Sequence, residues 1–193
     1  MIPETIFEKL EYAKRRLNDL GCLIDQNLLG SKASERQQLI QEFFFHLIGA
    51  ADFIAQLVNE HLELRIKPYK VNISRVVEKI HHGNSSDPLI PALKALYVNL
   101  GKDPFPDDLR SDDAYIHRAY IYRHYVTHNN REPFHFVSGE RTAYLDVDPN
   151  NPDKGQSEYG LKEDLNSMFK IMKQRCELVV SIIEPKDGTS ETF

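Results

Sequence analysis

The stretch YRHYVTHNN, Tyr122 to Asn130, holds the side chains best suited to chemistry. An imidazole titrates near neutral pH, as a general acid or base must. A guanidinium stays charged and offers a planar fork to phosphate oxygens. Together they suit acid–base work on an anionic substrate. In a helix, His117, His124 and His128, spaced seven and four apart, share roughly one face. Arg123 and Thr127, also four apart, take the adjacent face. Arg118, Arg123 and Arg131 make this the most basic stretch of a chain whose net charge is −5. A helix C-terminus favours protonated His128 while Arg123 opposes it, so the sequence leaves the sign of any pKa shift open.

A second chemistry for the same residues is metal binding. His117 and His124 lie about two turns apart, roughly 10 Å of axial rise, too far to share one ion easily. His124 and His128 form a pair at one-turn spacing, with His46 or Asp52 as a third ligand from another helix, as in DinB-like four-helix bundles. No HExxH or Glu-x-x-His motif supports that reading. Neither a glycine-rich phosphate loop nor a nucleophile elbow occurs. The tyrosines at 115, 120, 122 and 125 can stack bases beside arginines, but at helical spacing they suit core and rim packing better.

The elements around this stretch are helical. Ile6, Leu10, Ala13, Leu17, Leu20 and Ile24 recur at steps of three and four, which predicts a helix from Pro3 to Leu29. A second helix, Glu35 to Leu64, is apolar on nearly every side and should be the central one, with Ser34 and Gln37 as its capping box. His46, Asp52 and Gln56 are expected to hydrogen-bond within the bundle or to form a narrow solvent stripe. Asn72 or Ser74 caps a short helix through Ile80, and Leu89 to Leu100 reads as another. GKDPFPDDLRS is a loop. Ser111 or Asp112 then caps the helix carrying the motif, and Asn129 or Asn130 suits its C-cap. Beyond it, Phe134, Phe136, Tyr144, Leu145 and Val147 flank SGER as a small β-hairpin, and PNNPDKGQSEYG reads as a surface loop. A last helix, Leu161 to Ile183, buries Leu165, Met168, Phe169, Met172, Cys176, Val179 and Ile183. The fold class is all-α: a helical bundle of about four long helices plus short ones, with the hairpin inserted after the motif helix. Residues 1–184 form one domain, and 185–193 should fray as a tail.

The pattern Arg123-His124-x-x-x-His128 resembles the Arg-polar-x-x-x-His signature of the HEPN superfamily, all-α bundles that carry it near the end of a late helix. The resemblance spans the architecture from about Leu39 to Ile183, with motif identity at Arg123, His124 and His128. It implies a metal-independent endoribonuclease that needs no cofactor. In such enzymes a homodimer brings two motif helices together into a composite site. There His128 would act on the ribose 2′-hydroxyl as general base, or protonate the leaving 5′-oxygen. Arg123 would hold the phosphate, and His124 would orient both. A HEPN subgroup partnered with nucleotidyltransferases has tyrosine two residues after the histidine, where this chain has Asn130, so that modification chemistry is not carried over. Many HEPN domains are non-catalytic binding or assembly modules. That reading stands beside the ribonuclease, and an antitoxin or other protein partner stays open.

Bulk properties set the remaining bounds. At 193 residues, 41% hydrophobic and 27% charged, the chain can bury a core of its own. Its densest apolar run, Phe43 to Val58, is too short and too interrupted to span a membrane. The N-terminus has no basic-then-apolar signal pattern, so a cytoplasmic location is expected. Cys22 and Cys176 show no zinc-site spacing and are expected to be reduced, partly buried packing residues. Nucleic-acid binders usually carry a basic surplus, which is missing overall, so any RNA contact must be local.

Overall fold

The computed structural model of the chain describes residues 2–26, 28, 31–128, 134–136, 143–146 and 156–184. It is mostly helical. The helices are α1 (Ile2–Asp25), α2 (Ala33–His61), α3 (Ile73–Gly83), α4 (Leu89–Ala95), α5 (Asp112–His128) and α6 (Leu161–Ile183), with a 3-10 turn at Pro68–Lys70. Strands β1 (Phe134–Phe136), β2 (Ala143–Asp146) and β3 (Gln156–Gly160) form an antiparallel sheet in the order β1-β2-β3.

The central position of α2 follows from its composition. It packs along α1 and also touches α3, α5 and α6. Phe43, Phe44, Leu47, Ile48, Ile54 and Val58 are fully buried there. Burying each such side chain stabilises the fold by roughly 1.5–3 kcal/mol. On α1, Ile6, Leu10, Ala13, Leu17 and Leu20 all face inward, as their spacing requires. The expected apolar face of α6 is buried from Leu165 to Ile183.

The structure corrects several local expectations. Helix α2 starts at Ala33 with Lys32 as its N-cap, so Ser34 lies inside the first turn and no side-chain cap forms. The Lys32 ammonium reaches the Glu35 carboxylate at 2.8 Å instead. Helix α4 ends at Ala95, not Leu100, and the Arg175 guanidinium of α6 donates to the Ala95 carbonyl. Asp103 then accepts from the Asn99 N–H at 2.6 Å and turns the chain. Part of the expected surface loop, Gln156–Gly160, is a strand paired with β2, because main-chain pairing does not require apolar side chains. Leu145 on β2 is fully buried and ties the sheet to the core. Asn72 does cap α3, accepting from the Arg75 N–H at 2.9 Å. The turn of the expected hairpin, the C-cap candidates Asn129 and Asn130, and the tail 185–193 lie outside the described residues.

Candidate functional site

Helix α5 begins where Ser111 Oγ accepts from the Ala114 N–H at 3.2 Å, with Asp112 and Asp113 in the first turn favouring the helix dipole. Its inner face is set by Ala114, Tyr115, Ile116, Ala119, Ile121, Tyr122 and Val126, all buried. The Tyr122 ring stacks on Phe44 at 5.5 Å and fixes the helix on α2. Near its end, Gln41 of α2 donates to the Val126 carbonyl at 3.3 Å.

The outer side of the C-terminal half is open. Arg123, His124 and Thr127 line a shallow cleft of about 260 Å³ with Tyr120 and with Leu100 from the loop before α5. The Thr127 hydroxyl is engaged, donating to the Arg123 carbonyl at 2.6 Å. Tyr120 donates its hydroxyl to the Leu96 carbonyl at 3.0 Å and sits edge-on to Tyr97. Burial holds the Tyr120 phenol far above its usual pKa, so it is a wall and a donor, not a base. His124 is exposed, and the helical backbone continues one turn to His128. The His128 side chain lies outside the described residues.

Arg123 has a partner that the sequence offered as a metal ligand, as a hydrogen-bonding group within the bundle or as part of a solvent stripe. Its Nη1 lies 3.6 Å from Asp52 Oδ2 of α2, with both side chains partly exposed. That distance exceeds the roughly 2.7–2.9 Å of a charge-assisted hydrogen bond. The pair is therefore a loose electrostatic contact that leaves the guanidinium fork able to take a phosphate. Partial burial raises the Asp52 pKa, and the Arg123 charge works in the opposite direction. A polar residue on so apolar a helix was the signal for Asp52. Leu100 had none.

Other members of the basic stretch do not join this cleft. Arg118 is buried, 3.5 Å from the fully buried Asp164 of α6 and stacked over Tyr115 at 4.4 Å. It is a core residue, not a phosphate ligand. His117 is buried against Phe105 at 4.9 Å and borders a different cleft, beside Arg175 and Asp113. The loop before α5 thus covers the stripe at its His117 end and leaves it open at His124. Arg131 lies outside the described residues.

Of the two third ligands expected for a metal, Asp52 contacts Arg123. His46 stacks on Tyr12 of α1 at 5.2 Å, which turns it to the α1 side of α2. Among the described residues no three His, Cys, Asp or Glu side chains gather as a metal-holding group. Among the same residues, no helix is long and apolar enough to cross a membrane. Cys176 is buried as expected, but Cys22 is exposed, because position 22 falls on the solvent side of α1. No protein-family model matches the chain, and no curated protein and no solved structure matches it.

Proposed function

We propose that the chain is a HEPN-like domain whose α5 cleft binds RNA phosphate and, in a homodimer, cleaves RNA without a metal. One observation carries this reading: Arg123 and His124 line the same open cleft, and Arg123 is held there only loosely by Asp52. In the proposed reaction Arg123 stabilises charge on the phosphate, and His128 abstracts the 2′-hydroxyl proton or protonates the 5′-oxygen. His124 orients the two. We take β1 and β2 to be the expected hairpin after the motif helix.

A second reading is favoured by two observations. Asp52 shares the charge of Arg123, and Arg118 is locked in the core, so the basic surface is smaller than the sequence suggests. On that reading the cleft is a non-catalytic docking site for a protein partner, an antitoxin among the candidates. Fluorescence anisotropy with a labelled single-stranded RNA at low salt separates the two. The RNA reading expects Arg123→Ala to weaken binding about tenfold, as loss of one phosphate contact implies. Equal binding by both proteins would refute it.

A further inference from the structure

With Arg118 locked in the core, exposed cations gather elsewhere. The segment between α2 and α3, together with the outer face of α3, carries Arg65, Lys67, Lys70, Arg75 and Lys79. All five are exposed, and among the described residues none of them makes an ion pair. The same stretch holds two carboxylates, Glu63 and Glu78, and Glu78 faces His82 at 4.0 Å. Tyr69 stands among these cations with 77% of its surface exposed. The Lys70 ammonium lies 5.7 Å from the centre of its ring.

The arrangement is built into the fold. Asn59 of α2 accepts from the Ile66 N–H at 3.0 Å and donates to the Ile66 carbonyl at 3.2 Å. Leu62, Leu64 and Ile66 pack against the core, while Arg65 and Lys67 between and after them face solvent. Glu63 and Arg65 hold left-handed backbone, at φ 48° and 57°, which residues with a side chain adopt at a cost. Such conformations persist where the surroundings fix them, and they gather at binding sites. On α3, Ile73, Val76 and Ile80 are buried, which leaves Arg75 and Lys79, four apart, on the outer face. Arg75 Nη1 donates to the Lys70 carbonyl at 3.3 Å and joins that face to the turn carrying Tyr69.

We propose that this surface binds single-stranded nucleic acid, with one base stacked on Tyr69 and the phosphates held by Lys67, Lys70, Arg75 and Lys79. An exposed ring among unpaired cations supplies both parts of such a contact. RNA and DNA share those parts, so either sugar is accepted. A membrane surface fits less well, because it is held by inserted apolar side chains. From Leu62 to His82 no large apolar side chain other than Tyr69 is exposed. The surface also stands apart from the α5 cleft. Ile66 is anchored at Asn59, seven residues or about 10 Å along α2 from the Asp52 that meets Arg123. The proposal does not rest on the ribonuclease reading.

The test is fluorescence anisotropy at several salt concentrations with labelled dodecamers of uridylate and of thymidylate. The parent protein is Arg123→Ala, so that the α5 cleft contributes no arginine. Into it go Tyr69→Ala, Tyr69→Phe, Lys67→Ala/Lys70→Ala and a charge-matched control, Lys162→Ala/Lys170→Ala on α6. Every substituted side chain is exposed, and circular dichroism confirms that each protein is folded. Tyr69→Ala should weaken both probes about tenfold with the salt dependence kept, since one base stack is lost, and Tyr69→Phe should stay within about twofold. The Lys67→Ala/Lys70→Ala variant should flatten the slope of log affinity against log salt by about 1.4, roughly 0.7 for each phosphate contact. The control should bind as its parent does. A parent that binds neither dodecamer overturns the proposal, as does a Tyr69→Ala variant that binds equally well or a control as weak as the lysine variant. Binding to phosphatidylserine vesicles with neither dodecamer bound would give the surface to a membrane and overturn it too.

Discussion

Arg118 and Arg123 stand five residues apart on α5, yet their removal should have opposite consequences. The Arg118 side chain is 3% exposed and faces an Asp164 carboxylate that is fully buried, 3.5 Å away. Replacing Arg118 with alanine removes a counter-charge from that buried carboxylate, a change that typically costs about 3–5 kcal/mol. It also removes the guanidinium from the Tyr115 ring, a contact worth up to about 2 kcal/mol where water is excluded. The two losses overlap, so about 4 kcal/mol is expected. With a urea slope of about 2–3 kcal/mol/M, the midpoint should fall by roughly 1.3–2 M. Arg123→Ala removes a half-exposed contact at 3.6 Å and should cost no more than about 1 kcal/mol. Urea titrations followed by far-UV circular dichroism measure both. Arg118→Met combined with Asp164→Leu should regain most of the loss, since an apolar pair of similar volume replaces the charges. A cost under about 1 kcal/mol for Arg118→Ala would refute the assignment of Arg118 to the core, as would equal costs at both positions.

Three further outcomes follow from buried or constrained groups. Burial, with Lys9 and then Arg16 adding to it against Glu42, lowers the His46 pKa below its ordinary 6.5. The unfolded chain therefore takes up this proton first, so stability is complete above pH 6.5 and falls as pH drops below it. His46→Gln should flatten that loss in pH-dependent melts, and an unchanged slope would contradict the reasoning. Burial raises the Asp52 pKa, so its ionisation works against the fold as pH rises. Asp52→Asn should keep neutral-pH stability within about 1 kcal/mol of wild type and tighten RNA binding by releasing Arg123, whereas weaker binding would show that Asp52 positions the arginine productively. Cys176 is buried with its thiol pushed up to about 12, while Cys22 is exposed. A native thiol titration should count one fast-reacting group and a denatured one two; two fast groups in the native protein would be wrong for this core.

Periodicity revealed the helices because burial alone dictates it. The run from Leu161 to Ile183 gives its helix to the residue, as one apolar side chain per turn must face α2 and α5. Ends were less legible where a distant residue meets them. At the end of helix α4 the Ala95 carbonyl accepts from an arginine 80 positions away, a contact that no local pattern encodes. The candidate site was half legible. Arg123 and His124 stood out by type and spacing, and they line one cleft. Arg118 looked equivalent to Arg123, yet it lies four residues from both Ala114 and Tyr122, on the buried stripe. That spacing was the available signal, and Asp164 beside Leu161, Leu165 and Met168 on the apolar face of α6 was its counterpart. The Asp52–Arg123 contact depends on how α5 crosses α2, a tertiary fact without a sequence signature.

The central claim is that α5 performs metal-independent RNA chemistry. The direct measurement is cleavage of total RNA in excess chelator by wild type, Arg123→Ala and His128→Ala, each verified as folded. The account predicts chelator-resistant cleavage by wild type and its loss in both variants. An inactive wild type, or undiminished cleavage by either variant, would contradict it.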